Sequence, residues 1–281
     1  MNTLDLLLLT ASVLLLATLL VPVRYVGWVA AGGYTLQCLL LAACTTPLTA
    51  SLRLEVFGQV LSWRYDALSW FFALLTVGAA LASAVYAAGA WGRATGRWLQ
   101  VALAANVAAM LWLLGSGDWL TLFIGWELVS WASFFLMALG NQRAALRYLL
   151  YAMTGAMAIL GGLAWLHALA GSFDYNAIHT AVAQLSSAHL WLLMLLLGGG
   201  FAVKLGLLPV HLWQAEAYAY TPGPGAAFLG AISSRMGLYA LIILLLQLIG
   251  LARLDALEIP YTFLTSRELW AWIAVLTIIL P

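Results

Sequence analysis

The sequence predicts an all-α, polytopic transmembrane helix bundle of about eight to nine helices with a broken seventh helix, and three observations predict it. Of 281 residues, 65% are hydrophobic and only 7% charged, whereas soluble domains run near one quarter charged. A soluble core this apolar would lack the polar surface needed to stay in solution. The apolar runs recur at about 20 residues, the length that crosses a bilayer core as a helix. Polar and apolar residues do not alternate within them, which excludes a transmembrane β-barrel.

Taken in order, the runs lie at 4–22, 26–46, 67–90, 98–116, 119–139, 148–170, 189–209 and 225–250, with a ninth starting at Leu269. Turn and charged residues mark the breaks: Val-Pro-Val-Arg at 21–24, Gly-Arg at 92–93, Gly-Ser-Gly-Asp at 115–118 and Asn-Gln-Arg at 141–143. The first run carries Asp5, with no basic stretch before it and no small-residue cleavage site after it, so it reads as a retained helix. Between the second and third runs, Leu52–Tyr65 alternates weakly and suggests a short hairpin in an external loop. After Asp174 and Asn176, the spacing of Ile178, Ala181, Val182 and Leu185 predicts a short helix lying at the membrane interface. The ninth run has about 13 residues before Pro281, too few to span, and this favours a truncated chain.

Charge sets an expected orientation. Arg24, then Arg93 and Arg97, then Arg143 and Arg147 follow the first, third and fifth runs. In the other loops Arg53 and Arg64 are matched by Glu55 and Asp66, and Asp118 stands without a base. The positive-inside rule then puts the N-terminus outside. The net charge of +1, without a basic patch, gives no reason to expect nucleic acid as a partner. Cys38 and Cys44 share one apolar run and read as small core residues, not as a redox or metal pair. No cofactor motif and no metal-ligand set appear, so the chain is not expected to be a complete enzyme by itself.

Three of the 21 charged residues (11 basic, 10 acidic) sit deep in apolar runs: Glu127 in the fifth, Lys204, the only lysine, in the seventh, and Arg235 in the eighth. Each costs at least about 2.5–3.5 kcal/mol to insert. Glu127 lies about 12 Å along its helix from Trp119, too far to reach water by snorkelling. One reading is a proton path. Glu127 and Lys204 form an ion pair; when it loosens, the buried ammonium loses its counter-charge and releases its proton. The other reading is a static buried salt bridge that fixes helix packing.

The seventh run supports the first reading. Gly198-Gly199-Gly200 precedes Lys204, and Gly206 and Pro209 follow, so the helix should break at membrane depth. Irregular backbone there is tolerated where it is buried in protein or lines a hydrated cavity. Close glycine-mediated helix packing explains the same glycines. His211, two residues after Pro209, is placed either to pass protons between Lys204 and water or to act as an interfacial residue. His167 reads as interfacial or core, Trp126 and Trp131 as packing residues, and Glu216 as solvated.

These residues resemble a known family. Gly200-Phe-Ala-Val-Lys204-Leu-Gly-Leu-Leu-Pro209-Val-His211-Leu-Trp213 is similar to the Lys-to-Pro-x-His-x-Trp signature of the antiporter-like subunits of respiratory complex I, Mrp-type cation/proton antiporters and hydrogenase-4-type membrane subunits. Phe123-Ile-Gly-Trp-Glu127-Leu resembles the family's fifth-helix glutamate motif, and Pro222-Gly-Pro224 and Met236-Gly237 match further positions. The resemblance runs from about Ser62 onward. It implies proton or Na⁺ translocation through Glu127 and Lys204, partner subunits in a multi-subunit complex, and a bacterial-type inner membrane. Arg235 stands where many members carry a relay lysine, and an arginine biases its neighbours without releasing the proton. Gln214-Ala215-Glu216 departs from the family's proline- and aspartate-containing turn, and Gly206 leans toward the hydrogenase-4 branch. The family fold has two inverted repeats. Residues 98–250 correspond to the first, behind an N-terminal three-helix segment at 1–97, with 251–281 as a loop and the start of a truncated helix. Two other functions stay open: a non-conducting membrane anchor, and a quinone-binding subunit suggested by the tryptophans around Glu127.

Overall fold

The computed structural model describes residues 2–44, 46–56, 58–90, 93–259, 262 and 264–279. Gly92 of the expected Gly-Arg break, Phe57 of the hairpin pattern and the final Pro281 lie outside the described residues. Within them, seven helical stretches are long and apolar enough to cross a membrane: Thr3–Leu20, Ala67–Ala87, Gly96–Leu114, Trp119–Ala138, Gln142–Ala170, Ser187–Leu205 and Gly223–Ile249. The protein is an integral, multi-pass membrane protein. The second run gives only Val26–Ala42, because Pro47 and a strand follow closely. The ninth gives Ser266–Ile279.

The chain folds as two compact units, residues 1–149 with 216–233, and residues 150–215 with 234–281. In the first unit, α1 (Thr3–Leu20), α2 (Val26–Ala42), α3 (Ala67–Ala90), α4 (Arg93–Leu114) and α5 (Trp119–Ala138) pack sequentially, and α1 also packs on α4. Asn2 and Asp5 close α1 with reciprocal hydrogen bonds, a capping box. The weak alternation after α2 is a real antiparallel hairpin, β1 (Leu48–Val56) and β2 (Gln59–Tyr65).

Two carboxylates tie this hairpin to the helices. Asp5 accepts from Ser51 N–H at 2.8 Å and from the Ser51 hydroxyl. Asp118 caps α5 by accepting from Thr121 N–H at 2.7 Å, and it also accepts from Ser62 N–H at 3.0 Å. Both residues are buried, and each sits at a helix N-terminus, where the helix dipole favours a negative charge.

The second unit holds most of α6 (Gln142–Ala170), then α7 (Tyr175–Ala183), α8 (Ser187–Leu193), α9 (Gly199–Leu205) and the start of α10 (Leu212–Tyr220). After α11 (Gly223–Phe228) in the first unit, it continues with α12 (Arg235–Ile242), α13 (Leu251–Ala256) and α14 (Ser266–Ile279). The expected short helix is α7: Asp174 caps it, Ile178 and Val182 are fully buried, and Arg253 donates to Val182 and Leu185 carbonyls at its end. Helix α6 begins six residues before the expected 148, so Arg143 and Arg147 lie in its first turns rather than in a loop. Asn141 makes this start possible by capping Arg143 and Ala144 N–H.

Candidate functional site

The break in the seventh run is built in two places. A π-helical turn, Met194–Gly198, separates α8 from α9, and α9 ends at Leu205. Such turns arise where one extra residue is accommodated in a helix, frequently at functional sites. The three glycines have different surroundings. A Cβ on Gly198 would meet the Trp270 ring at 2.8 Å, and one on Gly200 would meet the Gly155 carbonyl oxygen at 2.6 Å. Gly199 faces open space. Thus α9 approaches α6 backbone to backbone, and the break and the close packing expected as alternatives coexist.

Beyond Leu205 the chain turns on Gly206, which has φ +75°. Leu207 N–H reaches back to Ala202 O at 3.0 Å, and the Trp213 indole N–H donates to Val203 O at 2.9 Å. These bonds occupy carbonyls that the helix end would otherwise leave open. Thr277 of α14 accepts from Leu208 N–H at 3.0 Å.

Lys204 lies in the last turn of α9 and is only 4% exposed. A basic residue in the last turn of a helix complements the helix dipole, and its burial removes the ammonium from water. His211 is half-buried on the turn after Pro209, and its Nδ1 is enclosed without a hydrogen-bond partner among the described residues. Arg235 opens α12 and is exposed, donating to the Ser234 hydroxyl at 2.7 Å. Helix α12 meets α9 through Gly237, where a Cβ would lie 2.7 Å from Leu205 N. Two residues earlier on a 3.6-residue turn, Arg235 points away from that contact.

In the first unit, Glu127 is half-buried on α5, one side of a polar cluster. The Tyr148 hydroxyl hydrogen-bonds the Ser130 and Ser133 side chains and feels the Glu127 charge. Ser133 donates to Asn106 Oδ1 at 2.8 Å and lies 3.2 Å from the Ser233 hydroxyl. Asn106, Ser130, Ser133, Tyr148 and Ser233 are all buried. Sequence reasoning missed these residues because it searched for charges. The available signal was Ser130 and Ser133 at helical spacing beside the glutamate, with Asn106 and Gln100 as polar residues in an otherwise apolar run. Glu216 forms an ion pair with Arg147, both partly exposed, rather than standing solvated alone.

A broken helix carrying a buried lysine, in a multi-pass bundle with an intramembrane glutamate, defines an antiporter-like membrane subunit. Residues 116–280 match the NADH:quinone oxidoreductase/Mrp antiporter transmembrane family, and the chain belongs to it. Subunit N of NADH-quinone oxidoreductase from Desulforudis audaxviator (strain MP104C) is 33% identical over 169 residues, 57% of this chain and 34% of that protein. The same subunit from Geobacillus kaustophilus (strain HTA426) is 28% identical over 267 residues, 92% of this chain and 52% of that protein. The chain thus spans about half or less of the length of these relatives.

Among solved structures, a chain of the membrane-bound sulfane sulfur reductase, an archaeal respiratory membrane complex, aligns with TM-score 0.79 and 22% identity over 91% of this chain and 42% of that one. A chain of the Mrp complex from Dietzia sp. DQ12-45-1b aligns with TM-score 0.78 and 24% identity over 86% of this chain and 28% of that one. A chain of respiratory complex I from Thermus thermophilus aligns with TM-score 0.65 and 22% identity over 86% of this chain and 52% of that one. These likenesses establish the shared antiporter-like fold.

Proposed function

We propose that the chain translocates protons as an antiporter-like subunit of a multi-subunit membrane complex, and that Glu127 and Lys204 are its working charge pair. The observation that carries this reading is the burial of Lys204 at the end of a broken, glycine-packed helix. A lysine gives up its proton when its counter-charge withdraws in a low-dielectric site. The orphaned Nδ1 of His211 offers the next proton acceptor toward the turn. Arg235 keeps its proton and acts as a fixed positive charge. The Tyr148–Ser133–Asn106 hydrogen bonds give Glu127 a polar environment inside the bilayer. Partner subunits, a bacterial-type inner membrane and an external N-terminus belong to the same proposal. The relatives named as NADH-quinone oxidoreductase subunits support it.

The test is proton pumping by the restored complex in proteoliposomes. Glu127→Gln and Lys204→Ala should each lower the rate at least about tenfold, the scale of losing one charge-assisted interaction. Unchanged pumping in both variants overturns the reading. A lowered melting temperature with unchanged pumping in Glu127→Gln marks the scaffold function instead.

A further inference from the structure

The geometry points to a phospholipid-binding site in the first unit, with the phosphate held at Arg53 and an acyl chain lying between α1, α4 and α5. It depends on the chain being embedded in a membrane and not on ion translocation. Two cavities carry it. One, of about 490 Å³, is apolar and is lined by Leu15, Leu16, Ala105, Ala109, Trp131 and Phe135 among others. The other, also about 490 Å³, is lined by Asp5, Leu8, Leu9, Ser51, Leu52 and Arg53. Ser12 and Trp112 line both, so the two adjoin along one face of α1.

The lining is graded from polar to apolar along the helix axes. The charged end lies at the hairpin, where Asp5 is two residues past the start of α1 and Trp112 two residues before the end of α4. Leu16 is about 20 Å further along α1 than Thr3, and Phe135 about 24 Å along α5 from Trp119. A single leaflet is about 15 Å of hydrocarbon plus its headgroup layer. The combined groove is therefore one leaflet deep, polar where headgroups lie and apolar where tails lie. Trp112 sits where tryptophans concentrate at membrane interfaces.

The charges select the headgroup chemistry. The Asp5 carboxylate is already committed: it accepts from Asn2 N–H at 3.0 Å, Ser51 N–H at 2.8 Å, Leu52 N–H at 3.3 Å and the Ser51 hydroxyl. Arg53 is exposed and makes no ion pair among the described residues. Glu55, on the same strand, does not line the cavity. A free guanidinium fork at the mouth of an apolar groove matches a phosphate oxygen pair. A quinone offers it no anion. A purely apolar helix face offers it no anion either.

The experiment is native mass spectrometry, with phosphorus analysis, of the full chain extracted in mild detergent. The wild type should retain about one phospholipid per chain. Arg53→Glu and the groove-filling Ala105→Trp should each reduce retention about tenfold, while Arg24→Glu, outside the groove, leaves it unchanged. Added phospholipid should raise the melting temperature of the wild type and of Arg24→Glu but not of Arg53→Glu, which separates lost binding from misfolding. The proposal is overturned if the wild type retains none, if all variants retain lipid equally, or if a quinone or a partner helix occupies the groove.

Discussion

At the residue scale, the glycines of the broken helix make the sharpest prediction, because neighbouring positions should respond oppositely. Gly200→Ala forces a methyl against the Gly155 carbonyl and Ile159. It should destabilise by about 1–3 kcal/mol, the usual cost of overpacking. Gly199→Ala meets nothing within 4 Å. It should be neutral or stabilising by up to about 1 kcal/mol, since alanine is the better helix former. Thermal melting of the two variants in one detergent checks the difference, and equal losses would contradict the packing described. Tyr148→Phe deletes a buried hydroxyl bonded to Ser130 and Ser133. Hydrogen bonds inside membranes average about 0.6 kcal/mol, so a small loss of melting temperature is expected. A larger fall in pumping than in stability would tie Tyr148 to Glu127 functionally.

At the element scale, the caps decide where helices begin and which neighbours they hold. Asp118 caps α5 and also anchors β2 through Ser62. Asp118→Ala should cost about 2 kcal/mol, the upper end for a lost cap, because two elements loosen at once. Increased proteolysis of the hairpin, compared with Asp118→Asn, is the readout. Helix α14 starts on a capping box in which Glu268 accepts from Thr265 N–H at 2.7 Å. That backbone bond, with the Thr265 hydroxyl bond, holds the Glu268 carboxyl below its ordinary range. A depressed carboxylate stabilises above its unfolded value and loses that contribution as the pH falls through its folded value. The protection of the Thr265 amide, taken relative to its intrinsic exchange rate at each pH, should therefore fall on acidification below the ordinary glutamate range, and Glu268→Ala should lack that protection at every pH.

At the scale of the whole molecule, the positive-inside rule predicts that the hairpin and the N-terminus share the external side. A cysteine at Glu55 in β1 should then be labelled by an impermeant thiol reagent from outside, and one at Gly96 in α4 only after the membrane is opened. The two native cysteines are free and are best replaced first. The reverse labelling would invert the topology, though not the phospholipid site, which would simply face the other leaflet.

Much of this architecture was legible in the chain, and the reason is physical. In a bilayer every backbone group must be satisfied within a helix, so long apolar runs have one available structure, and five of the runs became full-length unbroken spans. Glu127, Lys204 and Arg235 stood out because charge is costly there. The broken seventh helix was readable from Gly198–Gly200 and Pro209. The π turns at Leu229–Ser233 and Ile243–Ile249 were not, since no glycine run or proline interrupts those residues. The hairpin was faint because Arg53, Leu54 and Glu55 of β1 are all exposed, so no buried face imposes alternation there.

What the sequence by itself determined was the membrane class, the order of the helices and the identity of the intramembrane charges, because hydrophobicity and charge cost are local properties of the chain. Tertiary structure alone decided that Lys204 is buried while Arg235 is exposed, and that Tyr148, Ser133, Asn106 and Ser233 form one cluster beside Glu127. Burial and hydrogen bonding depend on which helix faces meet, and residues 100 apart, such as Ser133 and Ser233, carry no local sign of that meeting.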